Sequence, residues 1–337
     1  MVSLCCQRCQ HPLVLGEESY NCIPCGLSFR IRDGLVFMGY DREKEKDIFA
    51  VLQEEKQSQT NEGRIQEHYD FAHQSFRCGK LAVDNLVRII GTPHNMSAVE
   101  LGAGAGAMSW LLAEAGFDTY MCELEPNSLY SGLVYQHPDL GIGKRIVCDA
   151  TLPPFPDESL DVIFCKEFAH HIQDKRQFFE MVNSKLKADG LFVLIEPLLG
   201  LYFRIYLLRH PDPETHHFLV GLRTYLRELR KSGFAVDRFG LSFYKESSPS
   251  RLNARWKRMF NDELRQGISV NRLWKTLYGT LLSGSVVLYA RKVKSIVRRN
   301  KDLQMAVVPP ATLTLGPEYL ERTKCFAELL RTINSRA

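Results

Sequence analysis

Apolar and polar positions along this chain change period several times, and the changes mark out a series of elements. Ala98, Val99 and Leu101 form a short apolar run that reads as a buried strand. Gly102, Gly104 and Gly106 then alternate with alanines, and a helical pattern (Met108, Leu111, Leu112, Ala115) follows and ends on Gly116. A second strand is predicted over 119–122, a third over 146–148 and a fourth over 160–165. Asp174 caps a predicted helix with Phe178, Val182 and Leu186 at i, i+4 and i+8, and Ala188-Asp189-Gly190 turns the chain into a fifth strand over 191–195. Leu222, Leu226 and Leu229 mark a helix closed by Ser232-Gly233, followed by strands over 234–243 and 284–290. Strands alternating with helices predict an α/β fold, a doubly wound and mostly parallel sheet.

The flanks read differently. Residues 41–63 are charged, glutamine-rich and poor in apolar positions, as in a linker. From Arg64 the apolar pattern returns and predicts two helices before the first strand, through Ile65, Tyr69, Phe71 and Phe76 and then Leu81, Val83, Leu86, Val87 and Ile90. Two insertions interrupt the later strands. Residues 198–218 are aromatic and histidine-containing. Residues 245–280 carry Leu252, Trp256, Met259, Phe260 and Leu264 on one helical stripe, with Arg251, Arg255, Lys257, Arg258 and Arg265 around it. That stripe reads first as a helix docked on the sheet; a lid, a membrane-surface helix and an RNA-binding face are the alternatives. The division expected is 1–40, 41–90, 91–292 and a tail, 293–337.

Composition narrows the class. With 45% hydrophobic and 24% charged residues in 337, the chain has the balance of a globular protein large enough for two or three units. A net charge of +4 is too small to imply nucleic acid on its own. No apolar run approaches the ~18 residues of a membrane-spanning helix, and the N-terminus has cysteines and Arg8 where a secretory apolar region would lie. A cytoplasmic location is expected, and there ten cysteines point to metal binding and buried thiols rather than disulfides. Cys6-x2-Cys9, twelve residues, then Cys22-x2-Cys25 is the spacing of two knuckles that place four thiolates around a structural Zn²⁺. Four thiolates leave no open coordination position, so the metal is not expected to be catalytic. Cys5 is a fifth thiol that replaces Cys6 if the knuckle slips.

The strand, glycine turn, helix, strand and acid between Ser97 and Glu123 are how a parallel α/β sheet presents a nucleotide. The glycines let the backbone approach the ligand, and Glu123 can accept hydrogen bonds from both ribose hydroxyls. Gly102-x-Gly104-x-x-Ala107 also fits the loose dinucleotide fingerprint, so the glycines alone leave a nicotinamide oxidoreductase open. The stretches RIVCDATLPPFPDESLDVIF (145–164) and LKADGLFVLIEP (186–197) have no counterpart in a nicotinamide-binding half-domain. Together with Glu100-x-Gly102-x-Gly104-x-Gly106 they resemble the class I S-adenosylmethionine-dependent methyltransferases, in particular the small-molecule type, over residues 99–292. The resemblance implies a seven-stranded Rossmann-like sheet whose last strand runs antiparallel. It implies a cofactor site of Glu100, Leu101, Gly102, Gly104, Gly106, Glu123, Leu124, Asp149, Ala150 and Cys165, with Asp149 and the Ala150 backbone at the adenine edge. CGLSFRIRDGLVFMGY (25–40) resembles the zinc-ribbon modules that accompany such enzymes, in which a strand pair follows the last knuckle.

The reaction implied is direct in-line transfer of a sulfonium methyl, in which a protein aligns two reactants and needs a base only if the nucleophile must lose a proton. His170 and His171 resemble the paired histidines of the group, one of which faces the transfer site; each can instead serve only to shape the cofactor loop. Glu167 and Glu196 are weaker candidates. Tyr69, in GRIQEHYDFA, resembles the tyrosine that lies over cofactor and substrate, and equally suits packing on the sheet. A small-molecule acceptor is the leading expectation. RNA held by the ribbon and the basic insertion, and a non-catalytic chain that docks a partner while retaining its cofactor site, are the alternatives.

Overall fold

The computed structural model describes residues 2–32, 34–38, 79–104, 106–124, 142–201, 218–242, 277 and 285–296. Within them, eleven strands make one mixed sheet. Four come from the N-terminal segment: β1 (Val14–Leu15), β2 (Ser19–Cys22), β3 (Leu27–Arg32) and β4 (Leu35–Phe37). The other seven are β5 (Ser97–Leu101), β6 (Asp118–Glu123), β7 (Ile142–Val147), β8 (Leu160–Lys166), β9 (Leu186–Pro197), β10 (Phe234–Ser242) and β11 (Ser285–Lys292). The order is β1-β2-β3-β4-β7-β6-β5-β8-β9-β11-β10. The expected seven strands are present, and β11 is antiparallel to both neighbours.

The sheet is nevertheless larger than the seven strands expected. β4 pairs in parallel with β7 (Val36 opposite Ile146), so the N-terminal segment continues the sheet rather than standing beside it. The ladder is saturated further by the Met38 N–H donating to Val147 O at 2.9 Å. A sheet of alternating strands has an open edge at β7, and an unpaired edge must be covered or paired. Here the segment that carries the cysteines pairs it.

Residues alternate between the two faces of the central strands. On one side Ala98, Val162, Phe164, Val193 and Ile195 pack with Val83 and Leu86 of helix α1 (residues 79–90) and Met108 and Leu112 of α2 (Ala107–Glu114). On the other, Val99, Leu101, Ile163, Phe192 and Leu194 pack with Phe178 and Val182 of α3 (Lys175–Lys185) and Leu222 and Leu229 of α4 (Leu222–Lys231). Helices on both faces make the sheet doubly wound. Leu4, Tyr20 and Phe29 of the N-terminal segment join that second face.

Asp174 caps α3 by accepting from the Gln177 N–H at 3.0 Å. The turn predicted at 188–190 lies inside β9, where the ladder with β8 breaks register between Leu186 and Leu191 and Asp189 adopts φ 61°. Those residues bulge outward, and pairing resumes at Leu191.

Candidate active site

β5 leads into a turn in which Gly102, Gly104 and Gly106 all have positive φ, at 68°, 51° and 80°. The N–H groups of Gly102 and Ala103 donate to Cys122 O on β6 at 2.9 and 3.1 Å, folding the turn over the sheet edge. At Gly102 a Cβ would stand 2.4 Å from the Phe168 ring, so packing and conformation both require glycine there. Glu123, at the end of β6, is fixed against this turn: Oε2 accepts from the Gly104 N–H and Oε1 from the Leu124 N–H, both at 2.7 Å. The acid predicted to meet a ribose therefore sits at the carboxyl edge of the sheet with its orientation set by backbone donors.

Glu100 and Leu101 turn inward instead. Leu101 is core. Glu100 is buried, and one carboxylate oxygen accepts from both the N–H and the hydroxyl of Ser109 in the first turn of α2. It braces strand to helix beneath the turn. Gly106 is the residue before α2, in left-handed conformation.

Asp149 and Ala150 follow β7, at the same edge. Asp149 Oδ1 accepts from the N–H and hydroxyl of Thr151, at 2.8 and 2.7 Å, which fixes the carboxylate within its own loop. The N-terminal segment holds this loop from outside. The Cys5 N–H donates to Pro154 O at 2.9 Å and the buried Gln7 side chain donates to Leu152 O.

The exit of β8 is organised by Glu196, a fully buried carboxylate at the end of the neighbouring strand. Its Oε1 accepts from the N–H groups of Phe168 (2.9 Å) and Ala169 (2.6 Å), Oε2 accepts from the His170 N–H at 3.2 Å, and Oε2 lies 2.7 Å from the His170 ring Nδ1. The buried Cys165 thiol lies 3.9 Å away, and burial raises its pKa well above the ordinary thiol value. Residues Ala169–His171 form a short 3-10 turn in which His170 is buried and His171 exposed, their rings 4.2 Å apart. Glu167 adopts φ 52°, unusual for a residue with a side chain, and pairs with Lys166 at 2.7 Å. Tyr69 and most of both insertions lie outside the described residues.

Apart from these, the Sγ atoms of Cys6, Cys9, Cys22 and Cys25 all lie within 4.8 Å of one another. Cys5 is excluded from the cluster: it is buried beside the 149–157 loop, and burial pushes its thiol up to about 12.

The model of the family described as a methyltransferase domain matches residues 99–194. That segment of the chain is therefore similar to methyltransferase domains. The match takes in the glycine turn, Glu123, Asp149 and the histidine loop, and stops just short of Glu196. Over 133 residues, 39% of the chain, the sequence is 29% identical to 2-methyl-6-phytyl-1,4-hydroquinone methyltransferase of Synechocystis sp.. Over 43 residues, 13% of the chain, it is 46% identical to the uncharacterized methyltransferase YcgJ of Bacillus subtilis. The chain spans 39% and 17% of the lengths of these two relatives. Among solved structures, phosphoethanolamine N-methyltransferase 2 of Haemonchus contortus superposes with a TM-score of 0.45 at 19% identity, covering 70% of this chain and 58% of that one.

The sequence offered Glu196 only as a weaker candidate than Glu167 for a catalytic base and gave no sign of Ser109 or Phe168. The one sequence signal for Glu196 was its place at the mouth of a strand. Its role depends on β9 lying beside β8, a pairing that spacing along the chain does not show.

Proposed function

We propose that this chain transfers a methyl group from S-adenosylmethionine to a small-molecule acceptor. The observation that carries the reading is the Glu123 carboxylate, held by backbone donors against a glycine turn inside the matched domain. A carboxylate fixed there suits the two ribose hydroxyls of a nucleoside. Within the turn, nothing among the described residues lies within 4 Å of where a Cβ of Gly104 would stand, so a ligand can approach the main chain closely there. Asp149, with Oδ1 anchored by Thr151, would take the adenine amino group, and the Ala150 backbone the ring edge beside it. Bound, S-adenosylmethionine supplies a methyl already activated on a sulfonium; the protein aligns the acceptor and excludes water.

A small-molecule acceptor is supported by the relative whose name gives a hydroquinone as its substrate. The resemblance to the small-molecule methyltransferases implies that residues 198–218, between β9 and α4, shape the acceptor pocket.

The cysteine cluster fits a structural Zn²⁺. Four sulfurs at ~2.3 Å from a tetrahedral centre stand about 3.8 Å apart, within the 4.8 Å found for these four. The ion would clamp the two knuckles of a segment with little core of its own.

Calorimetry on the zinc-loaded chain with S-adenosylmethionine, S-adenosylhomocysteine and NAD⁺ tests the reading. Binding of the first two, weakened by Asp149→Ala, and no binding of NAD⁺ is the expected result. No binding of either adenosyl ligand would overturn it.

A further inference from the structure

Among the groups the cofactor reading leaves unused, the most heavily coordinated is Glu196. It is a wholly buried carboxylate that collects three successive backbone N–H groups, Phe168, Ala169 and His170, besides the ring of His170. Three backbone donors converge on its two oxygens, the hydrogen bonding that a buried carboxylate needs. An ionised carboxylate cannot donate, so the 2.7 Å contact to His170 Nδ1 requires the proton to be on the ring. Neutral His170 is therefore the Nδ1–H tautomer, and Nε2 is its basic nitrogen.

The same carboxylate fixes where that ring stands. Phe168, whose N–H it binds, lays its ring against Gly102 of the cofactor turn. His170 O accepts from the Phe218 N–H at 2.7 Å, where the chain returns from the segment expected to shape the acceptor pocket. The stretch that carries the His170 ring is thus held at the glycine turn through Phe168 and at Phe218 through the His170 carbonyl.

We infer that Glu196 is a positioning residue that holds His170 as the site's proton acceptor. When the acceptor's attacking O–H or N–H gives up its proton, Nε2 takes it, and the imidazolium so formed keeps its Nδ1–H on the Glu196 carboxylate. The carboxylate thus orients the neutral ring and stabilises the charged one, the division of labour seen wherever an acid backs a histidine base. This rests on the methyltransferase reading for the identity of the reaction; the tautomer does not.

The test is ¹⁵N NMR of the histidine rings in the full zinc-loaded chain with S-adenosylhomocysteine, above pH 8, with the His170 signals assigned by their loss in His170→Gln. The expected spectrum shows the Nδ1–H tautomer at His170. In Glu196→Gln the side-chain amide presents a donor to Nδ1, and the tautomer ratio should shift toward Nε2–H by about tenfold or more, the scale of a hydrogen bond to a charged group. Glu196→Asp, which keeps the charge, should restore the parent tautomer at least in part. An Nε2–H ring in the parent, or the same ratio in parent and Glu196→Gln, would overturn the proposal. If Glu196→Gln does not fold, the parent spectrum alone decides. Failure of the parent to bind S-adenosylhomocysteine would count against the methyltransferase reading and leave the tautomer result standing.

Discussion

Glu100 and Ser109 are joined across the glycine turn: one carboxylate oxygen accepts from the Ser109 N–H at 2.7 Å and from its hydroxyl at 2.5 Å. The first acid of the glycine motif is therefore a brace between β5 and α2, occupying donors at a helix N-terminus that would otherwise be buried unsatisfied. Burial raises its pKa from 4.5 to about 7, against the opposing pull of Ser109 and Lys166.

That shift predicts a pH dependence with a definite sign. The unfolded chain loses this proton near 4.5, and the folded chain keeps it until about 7. Between those values unfolding releases a proton, so this group's contribution to stability is full at low pH and is lost as pH rises to about 7. The whole change is on the order of 3 kcal/mol. Urea unfolding of parent and Glu100→Gln at intervals from pH 5 to 8 isolates it, since other groups titrate in both. The parent should lose stability relative to the variant over that range. Parallel profiles would show that Glu100 does not carry the shift.

Gly102→Ala should destabilise for two separable reasons. At φ 68° an alanine is strained, by about 1–3 kcal/mol, and its Cβ would meet the Phe168 ring at 2.4 Å. In a Phe168→Ala background only the strain remains, so denaturant unfolding should show a smaller penalty there than in the parent. Equal penalties would mean that the ring moves aside at no cost.

The glycine turn and Glu123 were legible in the sequence because the physics is local. Positive φ, close backbone approach and a strand-end acid all leave marks within thirty residues. Glu196 was not, because its ligands lie 26 to 28 residues away and meet it only when β8 and β9 pair. The expected strand pair after Cys25 appeared as β3 and β4, yet nothing in its pattern marked β4 as the parallel partner of β7. Edge pairing is decided by the backbone, which carries no sequence-specific signal. The brace made by Glu100 was not legible either: its motif position implies a ligand contact, and its bonds to Ser109 form only once α2 packs on β5.

Removing the proposed Zn²⁺ should loosen the 149–157 loop. Three contacts tie that loop to the N-terminal segment: Cys5 N–H to Pro154 O, Gln7 to Leu152 O, and Lys185 Nζ, which bridges Asp157 at 2.7 Å and Gln10 at 3.0 Å. Two of the three start within one residue of Cys6. After chelation, amide exchange in 149–157 should accelerate about tenfold or more, while β5 and β8 at the sheet centre keep their protection. Gln7→Ala, which keeps all four thiols, should reproduce part of the acceleration. Unchanged exchange in the loop after verified metal loss would show that knuckle and loop are independent.

Glu123→Gln offers the sharpest test of the cofactor edge. In the parent both carboxylate oxygens accept from backbone N–H groups, at Gly104 and Leu124. A glutamine amide has one acceptor and one donor end, so either orientation sets an NH₂ against one of those N–H groups. The side chain must then turn from the glycine turn or from Leu124, and the ribose hydroxyls lose a charged acceptor as well. Hydrogen bonds to a charged group are worth about 1.5–3 kcal/mol, so S-adenosylhomocysteine affinity should fall roughly ten- to hundredfold by calorimetry. Thermal stability should change much less, because Glu123 lies at the sheet edge and is only partly buried. Affinity held within twofold would mean that the ribose is bound elsewhere; a matching collapse of stability would mean that Glu123, like Glu100, serves the fold first.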